Sequence, residues 1–167
     1  MKTTTLKTLM TLLILLLISC GGKEEKKKAG FSYEKTTTTE KKVTKAEPVT
    51  ASKRIDLNDK GVGPIKSVEL GDEIDQTMAT HGEDVYKKMC TACHRVDKKF
   101  IGPAPLGILE RRTPEWVMNM ILNPEEMMQK NPLAKDLLTE FNGAPMANQN
   151  LTEVEARAVL EYFRTLK

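Results

Sequence analysis

Cys90-Thr91-Ala92-Cys93-His94 is the stretch on which the reading of this 167-residue chain turns. C-x-x-C-H is the spacing at which a porphyrin is fixed to a polypeptide. Two thiols add across the two vinyl groups, and two intervening residues let both reach them from one face. The adjacent histidine then sits under the iron as proximal ligand. Two other chemistries compete for the same residues. A structural zinc site needs four ligands, and beyond this cluster only Cys20 and His81 remain among the cysteines and histidines. A thioredoxin-like C-x-x-C belongs beside a βαβ pattern, and no strand pattern flanks this one. One covalently attached haem c is therefore expected, held by Cys90 and Cys93, with His94 on the metal.

Working outward, the segment before the motif reads as a helix. Met78, Val85, Tyr86 and Met89 fall near helical spacing, and Asp72, Glu73 and Asp75 supply negative charge at its start. Thr113-Pro114-Glu115 and Asn123-Pro124 each place a capping side chain before a proline, which opens a helix. Thr152 with Glu155 forms a capping box ahead of a last amphipathic run. Helices are predicted near 75–92, 114–122, 124–129, 132–141 and 153–166, which makes the fold class all-α. Aromatic residues are only 5% of the chain, so a large flat apolar cofactor would supply core that the side chains do not.

Iron held by one histidine has an open sixth position, and a thioether there would favour the ferrous state. The chain has nine methionines. Met78 and Met89 share the helix of the motif and are expected in the core, and Met118, Met120, Met127 and Met128 sit at helical spacing, where methionine usually packs. Met146 differs: it lies in the loop Asn142-Gly143-Ala144-Pro145-Met146-Ala147-Asn148, just ahead of the last helix. His81 is the rival, but it precedes the motif too closely to reach the opposite face.

The start of the chain is not domain-like. Lys2 and Lys7 precede an apolar run, Leu9 to Ile18, too short to span a ~30 Å hydrocarbon layer as a helix. That is the pattern of a signal peptide over 1–19. Residues 20–54 are Lys-, Glu- and Thr-rich, with too few apolar residues to offset chain entropy, and are expected to be a disordered tether. Residues 55–71 are expected to be an irregular arm, and 72–167 the folded domain. Residues 21–71 carry 12 Lys/Arg and 8 Asp/Glu, whereas residues 72–167 carry 12 and 15. The folded part is mildly acidic and has no basic stripe interleaved with aromatics, so no nucleic-acid partner is expected.

Taken together, Cys90-Thr91-Ala92-Cys93-His94, Gly102-Pro103, Pro145-Met146 and the terminal helix resemble the class I c-type cytochromes over roughly residues 75–167. The resemblance implies a one-electron carrier rather than an enzyme, with Met146 as second axial ligand. It implies that Gly82 and Tyr86 lie where the first helix crosses the last, opposite Leu160 and Phe163. It further implies that a proline carbonyl accepts the Nδ1–H of His94. Pro103 is the best match, and Pro105 stays open because the run to Leu106 is one residue longer than usual. Trp116 either donates to a haem propionate or fills the core. Arg111 and Arg112 either pair with propionates or are a solvated helix start. Leu17-Ile18-Ser19-Cys20-Gly21 resembles a bacterial lipobox, which implies a lipidated Cys20 and a membrane anchor. Lys23-Glu24-Glu25 resembles a surface-export signal of some gliding bacteria, against an otherwise periplasm-facing placement.

More narrowly, Thr113 to Pro124 and Pro145 to Thr152 resemble lipoprotein cytochromes encoded beside nitrous oxide reductase in Bacteroidetes-type bacteria. That implies electron delivery to a periplasmic reductase and supply from a membrane quinol-oxidising complex. The competing class is a haem-based sensor or ligand-binding protein whose sixth iron site exchanges.

Overall fold

The computed structural model describes residues 49–167. The expected signal peptide, Cys20 and most of the expected tether lie outside the described residues. Among the described residues, five α-helices and one 3₁₀ turn make up the regular structure: α1 (Gln76–Met89), the turn Ile108–Glu110, α2 (Pro114–Leu122), α3 (Pro124–Lys130), α4 (Pro132–Glu140) and α5 (Glu153–Thr165). Among the described residues the only extended pairing is a single parallel bridge between Asp56 and Arg112. None of their helices is long and apolar enough to cross a membrane.

Local chemistry sets the helix starts. Asp75 accepts from the Met78 N–H, Thr113 from Trp116, Asn131 from Ala134 and Thr152 from Glu155. Each satisfies a backbone donor that the first turn leaves free. Pro114, Pro124 and Pro132 occupy first-turn positions, where no N–H is missed. Asn123 departs from this pattern, since its amide donates to Glu126 Oε2 at 2.6 Å instead of capping α3. α1 stops at Met89, short of the expected 92: Cys90 N still donates to Tyr86 O at 2.9 Å, and the chain then turns, with Cys93 N and His94 N both on Cys90 O.

α1 and α5 cross at Gly82. A Cβ there would fall 1.9 Å from Ala158 O and 2.3 Å from its carbonyl carbon, so only hydrogen fits between the two backbones. Tyr86, one turn on, packs its ring 5.5 Å from Tyr162 and 5.7 Å, edge-on, from Phe163. Val159 and Leu160 are fully buried beside them. The buried face of α1 is Ala79, Gly82, Val85 and Tyr86. Met89, expected in the core, is 37% exposed. Met118 and Met127 do pack in the core.

Residues 49–71 form an ordered arm. Asn119, itself buried, clamps it with three hydrogen bonds: Oδ1 accepts from Ile65 N at 3.0 Å, and Nδ2 donates to Lys60 O and Ile65 O, each at 2.9 Å. The Val62 N–H meets Met127 Sδ at 2.9 Å, and Asp56 N donates to Arg111 O at 2.9 Å. Residues 49–54, assigned from composition to the tether, belong to this arm: Ala51 is buried, and the Ser52 N–H donates to Glu140 Oε2 at 2.7 Å. The arm is held by its backbone groups, which composition does not register.

Candidate haem site

The end of α1 delivers the attachment motif as one tight turn. Cys93 N and His94 N both donate to Cys90 O, at 3.1 and 2.9 Å. Cys90 is half-buried and Cys93 exposed, and neither is in a disulfide. Burial, and then the neighbouring Cys93, pushes the Cys90 thiol up to about 11.

His94 is fixed in two ways. Its Nδ1 lies 2.8 Å from Pro103 O. A carbonyl only accepts, so the proton resides on Nδ1 and Nε2 keeps its lone pair for a metal. The ring also rests against Gly102, where a Cβ would come within 2.5 Å of His94 Cε1. Gly102 in turn donates its N–H to Cys93 O at 2.9 Å, closing the loop back on the motif. Pro105 lines the same cleft without contacting the histidine nitrogen.

Cys90, Cys93 and His94 face a largely apolar cleft, with Pro145 and Met146 from the loop ahead of α5 also lining it. Met146 is half-buried. Sequence reasoning missed three further methionines on this cleft, Met89, Met120 and Met128. Helical periodicity puts Met118 and Met120, and Met127 and Met128, on different faces, but does not say which face meets a cofactor. His81 is exposed on α1 and lines no part of the cleft.

Trp116 is 4% exposed, and its ring forms part of the cleft wall. Its Nε1–H is directed to Asn131 Oδ1 at 3.3 Å. Arg112 is not a solvated helix-start residue: it is 1% exposed, its guanidinium carbon 5.3 Å from the centre of the Trp116 ring. Nη2 donates to Ala51 O at 2.7 Å, and Nη1 to Arg111 O at 2.8 Å and to Arg54 O. Burial lowers its pKa to about 10.

The residues fit a haem. The cleft is apolar, as a porphyrin requires. Three buried polar atoms in the domain lack a partner, namely Tyr86 OH, Arg111 Nε and Arg112 Nε, and all three belong to side chains that line the cleft. Among the described residues Arg112 has no carboxylate within ion-pair distance, and a buried cation without an anion is costly. Haem carries two carboxylates. A zinc cage fits less well, because no cluster of three or more metal-ligating side chains occurs among the described residues.

An all-α fold around an apolar cleft, with a C-x-x-C-H turn in its wall, defines a class I c-type haem protein. The cytochrome c family model matches residues 79–167, and the chain belongs to that family. It is similar to a solved cytochrome c from Rhodothermus marinus at 46% identity and a TM-score of 0.61, over 62% of this chain and 89% of that one. An engineered form of that protein, Rma TDE, matches at 45% identity and a TM-score of 0.60, over 62% and 90%. The same engineered form bound to a carbene intermediate matches at 45% and 0.58, over 62% and 89%. A search of the curated proteins finds no match. The protein is thus a haem-based electron carrier with covalently bound haem c.

Proposed function

We propose that the chain carries single electrons, with thioether links at Cys90 and Cys93 and axial ligation by His94 and Met146. The observation that carries this reading is the clamped His94 ring, its Nδ1 on Pro103 O and its face on Gly102, in a cleft that Met146 also lines. When bound, haem supplies a one-electron couple at its iron. The chain supplies the rest. Pro103 orients His94 and raises its basicity. Met146 donates a soft sulfur, and the apolar wall, Trp116 included, keeps water out. Arg111 and Arg112 hold the propionates.

In this reading Cys20 is lipidated, and the tether keeps the domain at a periplasm-facing membrane of the cell envelope. Anchoring at Cys20, about 29 residues before the ordered arm begins at 49, would concentrate the carrier near membrane-linked partners. A quinol-oxidising complex is the proposed donor, and a periplasmic reductase such as nitrous oxide reductase the acceptor.

The test is optical. The oxidised holoprotein is expected to show a sulfur-to-iron charge-transfer band that Met146→Ala abolishes. A second reading, a ligand-binding haem protein, draws on the Met146 loop. From Pro145 to Leu151 it makes no backbone–backbone hydrogen bond among the described residues. Its link to α2 is Asn148 Nδ2, 3.5 Å from Leu122 O. A wild-type protein without the band, whose reduced form takes up carbon monoxide readily, would favour that reading.

A further inference from the structure

Arg112 and Trp116 both line the cleft, and the arm holds each of them. Arg112 is tied by the carbonyls of Ala51 and Arg54. Trp116 is tied through Asn131, whose Oδ1 takes the indole N–H and whose Nδ2 donates to Asp59 Oδ2 at 2.7 Å. Asp59 is locked in turn, because its carbonyl accepts from Thr113 Oγ1 at 2.6 Å and its Oδ1 from Gly61 N at 2.8 Å. A second set of bonds, through Asn119, fastens the arm to α2 away from the cleft. The arm is therefore more than a cover: two of its attachments end on cofactor-facing side chains.

We infer that the arm is a working part of the haem site, holding Arg112 and Trp116 so as to keep the reduction potential high. Ferrous haem carries one positive charge fewer than ferric haem, so a guanidinium fixed in a dry site beside it favours reduction. An arm released from α2 frees Arg112 of two acceptors and opens the wall behind Trp116 to water. Both changes favour the ferric state, so they act in the same direction. In this account Asp59, Asn131 and the Ala51 and Arg54 carbonyls are positioning groups that act through Arg112 and Trp116.

Two variants loosen the arm without altering a cleft residue. A Cβ in Gly63→Ala would fall 2.4 Å from Asn119 Oδ1 and force the arm off its clamp. Asn119→Ala removes the clamp itself without changing any charge. Each is made in the full chain, matured with haem, and its midpoint potential is compared with the parent's. Arg112→Gln serves as the reference for losing the charge itself. The expected result is a lower potential in both arm variants, by more than twofold and up to about tenfold in the reduction equilibrium, tenfold being ~59 mV for one electron. Trypsin cleavage at Lys60 and Lys66 should be faster in both. Potentials within twofold of the parent's equilibrium, in whichever arm variant matures, would overturn the inference. So would a loss confined to Arg112→Gln. The inference rests on the electron-carrier reading. That reading survives such a failure if parent and variants still gain and lose one electron reversibly.

Discussion

Replacing Gly82 with alanine places a methyl group where α1 and α5 touch backbone to backbone. The new carbon would sit 1.9 Å from Ala158 O, 2.3 Å from Ala158 C and 2.8 Å from Val159 N. An ordinary contact needs about 3.4 Å or more, so the helices must part by roughly 1.5 Å. Neither side can swing aside, because the obstructing atoms are main chain. Overpacking costs about 1–3 kcal/mol and occasionally more, and a main-chain clash belongs at the top of that range. Alanine returns about 1 kcal/mol of helix propensity. Separation also loosens the stack of Tyr86 on Tyr162 and Phe163, so the net loss is expected to be ~2–3 kcal/mol. For a domain of this size that corresponds to a fall in Tm of roughly 8–12 °C. The assay is thermal unfolding of the holoprotein, followed by far-UV circular dichroism and by Soret absorbance. A Tm within about 2 °C of the parent's would refute the reasoning, since it would mean that the crossing opens at no cost.

Three further outcomes are expected. Burial pushes the Glu161 carboxyl upward, but Arg157, the Asp75 N–H and Arg164 outweigh it and hold its pKa below the usual carboxylate value. Its stabilisation is then complete above the unfolded-state value and lost as pH falls through the lowered one. The gap in denaturant midpoint between parent and Glu161→Gln should narrow from pH 7 to pH 3, and a constant gap would refute this. Asn119→Ala leaves Ile65 N–H, Ile65 O and Lys60 O without partners, so a loss of about 2–3 kcal/mol is expected. Hydrogen exchange should show the Ile65 amide losing far more protection than that of Val159 in α5, and equal protection of Ile65 in both proteins would refute the clamp. Cys93→Ala should leave haem joined by one thioether, so denaturing mass spectrometry should still find it attached through Cys90. Haem wholly lost from Cys93→Ala would count against Cys90 as an independent link.

The parts of this molecule that were legible in advance are those encoded by neighbours in sequence. The attachment turn spans five residues, and the caps of α1, α2 and α5 are settled within three or four. The Pro103 carbonyl lies nine residues from His94, and the resemblance to class I cytochromes supplied it. The arm was not legible, because its ties span 54 to 88 residues and run largely through backbone groups. The same distance hid Arg112. Next to Arg111 at a helix entrance it reads as a surface cation, and its burial comes from acceptors 58 and 61 residues earlier. Composition likewise drew the tether boundary at residue 54, though Ala51 is already part of the packed arm.

The two sides of the cleft are built to different standards, and this bears on what the site can do. On the His94 side, a glycine without a Cβ, a proline carbonyl and a bond back to Cys93 restrain one ring. On the Met146 side, the loop from Pro145 to Leu151 has no backbone ladder, and Asn142 and Asn150 near its ends adopt left-handed conformations, at φ 59° and 53°. A restrained proximal ligand keeps geometry alike in both oxidation states, which favours rapid electron exchange. If Met146 is the distal ligand, as proposed, the sulfur–iron bond itself would have to hold this loosely tied loop closed. The strength of that one bond therefore separates a carrier from a ligand binder. Loop glycine 143 offers a way to weigh it: Gly143, at φ 73°, has open space around its would-be Cβ, so Gly143→Ala strains the loop without a clash. If the bond is strong, the charge-transfer band should persist in Gly143→Ala and carbon monoxide should still bind slowly. A band lost on so small a strain would show that the distal position is held too weakly for a dedicated carrier.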